Sequence, residues 1–108
     1  MTQYVLIESR DPFESTDVAY FHDLAAALSR AGQMVSLFLV QNAVLLARPG
    51  PRSAALTRLA EANVRVLADA FSLRERGIVA ESLAPGVRPA PLDVVIDGLA
   101  QGAKALWH

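Results

Sequence analysis

Short, continuous apolar runs recur along the chain and are separated by segments with helical spacing. The runs cover residues 4–7, 34–40 and 64–68, and only Ser36 and Arg65 interrupt them. An apolar run of this length without strict alternation is typical of a strand that is buried on both faces of a parallel sheet. We therefore predict three buried strands here, and a last short strand over residues 103–108.

The segments between these runs place their apolar residues on one helical face. In the first segment the apolar face consists of Val18, Phe21, Leu24, Ala25 and Leu28, and the alternative N-caps before it are Ser15, Thr16 and Asp17. Gly32 supplies a left-handed stop for this helix. Shorter helices are predicted over residues 43–47, from Ser53 to about residue 63, and over residues 69–76, where Gly77 ends the last of them.

The chain between residues 85 and 99 gives two different signals. Residues 85–91 contain three prolines, which predicts a loop. The following apolar residues, Leu92, Val95, Ile96 and Leu99, have helical spacing, although residues 94–96 also suit a strand. Periodicity therefore leaves both helix and strand open for residues 92–97.

Strands and helices that alternate in this way predict a three-layer α/β/α sandwich. Its parallel sheet should have about four or five strands, with helices on both faces. The chain has 108 residues, a common size for one domain, and contains no repeat or linker that would divide it. We expect a single domain over residues 1–108.

Composition narrows the classes of partner. Hydrophobic residues make up 53% of the chain and charged residues only 19%, and this apolar surplus predicts an oligomer. The net charge of −1, with acids and bases mixed, argues against nucleic acid as a partner. No apolar run approaches the ~20 residues of a membrane helix, and no basic segment of a signal peptide precedes the first run. We expect a cytoplasmic, unprocessed protein with no membrane partner.

Few residues are candidates for catalysis or for binding a metal or cofactor. The chain has no cysteine, which excludes disulfides, thiolate metal ligands, persulfides and a cysteine nucleophile. We expect His22 at the boundary of the apolar face of its helix and His108 in solvent. Neither histidine has a partner carboxylate at ligand spacing, so no metal is expected.

The serines lie in no nucleophile-elbow sequence and the glycines form no phosphate-binding loop, so we expect no catalytic residue and no cofactor. Arg48 and Arg52 flank a Pro-Gly-Pro turn, where two arginines can bind an anion.

Ligands of parallel α/β sheets bind outside the carboxyl ends of the strands. In this chain that edge comprises residues 9–17, 41–42 and 69–72. The candidate pocket residues are Ser9, Arg10, Gln41, Asn42 and Ser72. Asp69 has two interpretations, as the N-cap of the helix that follows it or as a polar contact in this pocket.

Several segments resemble a known family. Residues 11–15 (DPFES) resemble the first loop of DsrE/DsrF-like sulfur-relay proteins, and residues 38–44 (FLVQNAV) resemble their second strand and the turn after it. The most specific match is residues 72–78 (SLRERGI), which resemble a helix end in the branch that includes DsrF and TusC. Residues 103–108 resemble the closing strand. The resemblance covers essentially the whole chain and implies homo-oligomers or mixed hexamers of related subunits.

The resemblance also implies what this chain lacks. Family members that carry sulfur have a cysteine before the helix of residues 72–78, and that position corresponds to Asp69. A carboxylate cannot accept a sulfane sulfur, because the chemistry requires a polarisable thiolate. We therefore expect a non-catalytic structural or binding subunit linked to sulfur relay. The alternative is a small-ligand-binding protein or enzyme that uses the pocket around Asp69, and a weaker third option is a flavodoxin-like module of another lineage.

Overall fold

The computed structural model describes residues 2–108, which form a five-stranded sheet in which all strands are parallel. The strands are β1 (Gln3–Glu8), β2 (Met34–Leu39), β3 (Arg65–Asp69), β4 (Val87–Ala90) and β5 (Lys104–Trp107). Their order across the sheet is β4-β3-β2-β1-β5, so the three strands predicted as buried are central and the two shortest form the edges. The predicted α/β fold with a parallel sheet is confirmed.

Four α-helices and three short 3₁₀ helices connect the strands. The α-helices are α1 (Val18–Arg30), α2 (Ala54–Glu61), α3 (Ala70–Glu75) and α4 (Asp93–Ala100). The 3₁₀ helices span Gln41–Ala47, Pro51–Ser53 and Ala80–Ser82. No helix within residues 2–108 has the length and apolar character that are needed to cross a membrane.

Alternate residues of each central strand fill two separate cores. On one face, Leu6, Leu37 and Val66 pack with apolar residues of α1, α2 and the 3₁₀ helix Gln41–Ala47. On the other face, Ile7 and Phe38 pack with Val95 of α4. Because both faces are covered, the central strands read as continuous apolar runs in the sequence.

The loop predicted for residues 85–91 is wrong, because Val87–Ala90 form the edge strand β4. This strand pairs in parallel with β3, with Val66 opposite Val87 and Ala68 opposite Pro89. Proline lacks the N–H group that a central strand must donate, but an edge strand has one side without a neighbour and tolerates it. Val87 and Ala90 are buried, which gives this short strand its place on the sheet.

Residues 92–97, for which the sequence allows a helix or a strand, lie in α4 and its N-cap Leu92. The backbone N–H groups of Val95 and Ile96 donate to the carbonyl of Leu92 at 2.9 and 3.3 Å. Val95 points into the core and is 5% exposed, whereas Leu92, Ile96 and Leu99 are about half exposed. The helix therefore covers the second face of the sheet and leaves an apolar stripe on its outside.

Candidate functional site

Asp69 ends β3 at the carboxyl edge of the sheet and is the N-cap of α3. Its Oδ2 accepts hydrogen bonds from the backbone N–H of Ser72 at 3.0 Å and from the Ser72 hydroxyl at 2.7 Å. Asp69 is only 8% exposed and Ser72 only 3%. An N-cap carboxylate that accepts a hydrogen bond from one free N–H group of the first helical turn accounts for this geometry.

Three further residues extend these contacts into what we call the Asp69 network. It consists of Asp69, Ser72, Gln41, Asn42 and Arg76. The backbone N–H of Gln41 donates to the Ser72 hydroxyl at 2.9 Å, and Gln41 has the left-handed φ of +52°. Arg76 donates to Asn42 Oδ1 through Nε at 3.2 Å and Nη2 at 3.0 Å, and through Nη1 to the carbonyl of Ser72 at 3.3 Å. The network therefore ties α3 to the start of the 3₁₀ helix Gln41–Ala47.

The other two candidate pocket residues lie at the end of β1. The backbone N–H and the hydroxyl of Ser9 both donate to the backbone oxygen of His108 at 2.9 Å, and the N–H of Arg10 donates to Glu8 Oε2 at 3.1 Å. Within residues 2–108 no hydrogen bond joins them to the Asp69 network. The polar residues predicted to form one pocket thus form two groups on the same edge of the sheet.

Sequence reasoning missed the pair at the centre of the second group. Nδ1 of His108 lies 2.9 Å from both carboxylate oxygens of Glu8, which is fully buried. The imidazole also stacks on Phe21, with ring centroids 5.3 Å apart and an interplanar angle of 27°. The expectation that His108 is solvated is wrong, because parallel pairing of β5 with β1 carries it to the end of β1. The one signal in the sequence was the acidic Glu8 directly after the apolar run of residues 4–7.

His22 is also placed differently from the prediction. It is buried on α1 rather than at a boundary, with 7% of its surface exposed, and its Nε2 has no hydrogen-bond partner among the described residues. The pKa of His22 is lowered from 6.5 to about 4, mainly because the ring is buried; Asp23 partly opposes this shift and His108 adds to it. The ring is therefore neutral at physiological pH.

The two loop arginines make intramolecular contacts. Arg52 forms an ion pair with the buried Asp11, with 2.6 Å between Nη2 and Oδ1, and its guanidinium lies 4.0 Å from the ring centroid of Phe13. Nε of Arg48 donates to the carbonyl of Leu45 at 3.1 Å. The position of Arg52 is thus explained by its contacts with the first loop, without an external anion.

An open cleft of about 470 Å³ lies beside His108, and we call it the aromatic cleft. It is lined by Asp17, Tyr20, Phe21, Trp107 and His108. Tyr20 is 74% exposed and Trp107 is 67% exposed. In the part of the chain that the structure describes, no group of three His, Cys, Asp or Glu side chains is arranged to hold a metal ion.

These features define a small three-layer α/β protein whose parallel sheet carries two polar groups at its carboxyl edge. Comparison with family models identifies the chain further, because the model of the DsrE/DsrF-like family matches residues 3–107. The chain belongs to this family, as the sequence resemblance predicted. No curated protein matches the chain significantly in sequence.

Solved structures share the whole fold. The ychN protein from E. coli is 26% identical, with a TM-score of 0.83 and full coverage of both chains. A protein of unknown function from Methanobacterium thermoautotrophicum is 17% identical, with a TM-score of 0.86 and full coverage of both chains. A conserved protein of unknown function from Bacteroides thetaiotaomicron is 13% identical, with a TM-score of 0.76 over 98% of this chain and 95% of the other. The last two show the fold alone.

Proposed function

We propose that this protein is a non-catalytic structural or binding subunit of a sulfur-relay assembly. Its family suggests a function related to sulfur relay. The observation that carries the proposal is Asp69, which occupies the position that the resemblance assigns to the sulfur-carrying cysteine. Its carboxylate is nearly buried and accepts two hydrogen bonds from Ser72. A side chain fixed in this way stabilises the edge of the sheet and offers no thiolate to accept a sulfane sulfur.

Partner capture tests the proposal directly. The tagged protein, expressed in its natural host, should co-purify with family members that carry the cysteine. Such subunits should exchange sulfur among themselves at a different rate when this protein is added, because a structural subunit acts by positioning its partners. Recovery of the protein alone, with no effect on sulfur exchange between those subunits, would refute the proposal.

We expect the purified chain to form oligomers through the outer stripe of α4. Leu92, Ile96 and Leu99 lie at helical spacing and are 52%, 57% and 48% exposed. Sedimentation at micromolar concentration should give a mass well above 11.6 kDa. Ile96→Lys should lower that mass, because a charge in an apolar interface is costly to bury. Val79→Lys is the matched control, since Val79 is 58% exposed but lies outside the stripe. A monomeric wild-type protein would contradict this expectation.

Asp69→Cys should create a reactive thiol. A thiolate at this position would inherit the hydrogen bonds from Ser72, which favour the charged form and should lower the thiol pKa below its free value of about 8.5. Loss of the carboxylate cap should reduce stability by only ~1 kcal/mol. The measurements are the pH dependence of alkylation and the mass gained from a persulfidated donor. Wild-type protein should gain no sulfur, because it contains no thiol.

Two variants serve as controls for the introduced thiol. Ser72→Cys places a thiol one turn further along α3, at a side chain that is only 3% exposed, and it should react slowly. Glu75→Cys places an accessible thiol at the last residue of α3, among carbonyl groups that disfavour a thiolate. If the thiol at position 69 titrates no lower than the thiol at position 75, Asp69 is not the position of the family cysteine.

A further inference from the structure

The aromatic cleft is not used by the proposed assembly function, although it combines three kinds of side chain that bind small molecules. Tyr20, Phe21 and Trp107 supply aromatic surface, Asp17 a carboxylate and His108 an imidazole. Its volume of about 470 Å³ lies in the range of small-ligand sites, which are ~300–1,000 Å³ and lined by aromatic residues with a few polar groups.

His108 presents a fixed polar atom to this cleft. Its Nδ1 faces the carboxylate of the fully buried Glu8 at 2.9 Å, so Nδ1 carries the proton and donates it. Nε2 is the ring nitrogen that takes no part in this pair. Nε2 makes no hydrogen bond within residues 2–108 and is not fully buried. Stacking on Phe21 further holds the ring in place.

Asp17 gives the cleft its charge. It precedes α1 at the N-cap position, yet its side chain makes no capping hydrogen bond, and no ion pair includes it among the described residues. This carboxylate favours a cation in the cleft. Exposed faces of tyrosine and tryptophan attract cations through the negative potential of their rings.

We propose that the aromatic cleft binds a small aromatic molecule that carries a protonated amine. The aromatic ring of the ligand packs against Tyr20 and Trp107, and its ammonium group donates hydrogen bonds to the carboxylate of Asp17. This site is separate from the Asp69 network, and its occupancy does not depend on a role in sulfur relay.

The chain has one tryptophan, so its fluorescence reports directly on the cleft. The probes are benzylamine, benzyl alcohol and benzoate, which share a ring and differ in charge. Benzylamine should change the Trp107 emission saturably at a concentration about tenfold lower than either other probe needs. Asp17→Asn should remove this preference and leave the fold intact, because the carboxylate makes no capping bond. Asp97→Asn, an exposed aspartate on α4, should leave the preference unchanged.

Tyr20→Ala is a second variant that should fold normally, since the side chain is 74% exposed, and it should weaken the binding of all three probes. Equal midpoints for the three probes, or no saturable change with benzylamine, would overturn the proposal. A third outcome would also overturn the proposal: the free protein already shows the emission of a buried indole, and Tyr20→Glu converts an oligomer into a monomer. In that case a second copy of the chain covers the cleft.

Discussion

Gly86→Ala should destabilise the protein by about 2–5 kcal/mol, through two separate effects. Gly86 has a left-handed φ of +88°, a conformation that costs a residue with a Cβ atom ~1–2 kcal/mol. A Cβ atom at this position would also lie 2.7 Å from the Cβ of Ala60 on α2, where overpacking typically costs ~1–3 kcal/mol. Gly86 directly precedes β4, so the clash would push the edge strand away from α2. Denaturant midpoints of the two proteins measure the loss.

Gly32→Ala separates the two effects. Gly32 has nearly the same φ of +86°, but an added Cβ would meet no atom within 4 Å. This control should therefore show only the backbone cost, and Gly86→Ala should be less stable than Gly32→Ala by the cost of the clash. Equal destabilisation of both variants would mean that α2 and the turn before β4 can separate freely.

Lowering the pH should destabilise the protein through His22, by about 3 kcal/mol between neutral pH and pH 4. Burial lowers the pKa of His22 to about 4, whereas in the unfolded chain the pKa is 6.5. The unfolded state therefore binds the proton first as the pH falls. The stability that the neutral ring contributes is fully present above pH 6.5, is lost as the pH falls towards 4, and changes little further below the folded pKa.

Comparison with His22→Leu isolates this effect from the other ionisable groups of the chain. Urea unfolding of both proteins should show that the stability of wild type falls relative to His22→Leu by about 3 kcal/mol between pH 7.5 and pH 4. His108→Gln, which removes the other histidine, should keep most of this drop. The difference in the free energy of unfolding between wild type and His22→Leu could instead stay constant with pH. That result would show that the ring accepts a proton as readily in the folded state as in the unfolded state.

The central part of the fold could be predicted from the sequence because it depends on local pattern. Buried strands such as residues 4–7 are apolar at nearly every position, and α1 repeats its apolar residues with the period of a helix. The edge strand β4 carries no such pattern, because only Val87 and Ala90 face the core and Pro89 suggests a loop. An edge strand is recognised by the neighbour with which it pairs, and a single sequence does not show that neighbour.

The contacts of the candidate site also differ in how far the sequence predicts them. Asp69 and Ser72 could be predicted together, because an N-cap and the third residue after it are close in sequence and their contact is local. Gln41 and Asn42 could be assigned to the same edge from the rule for parallel sheets, but not their bonds to Ser72 and Arg76. Those bonds depend on the packing of α3 against a different segment of the chain.

The sequence by itself determined the family, the parallel α/β fold, the absence of any thiol and the capping aspartate, since each depends on composition or on residues a few positions apart. Only the tertiary structure determined that Glu8 and His108, which are separated by 100 positions, form a pair, and that His22 is buried. The physical reason is strand order. Because β5 pairs with β1, His108 lies against the end of the first strand. Tertiary packing likewise sets the contacts of each imidazole and the free-energy cost of charging it.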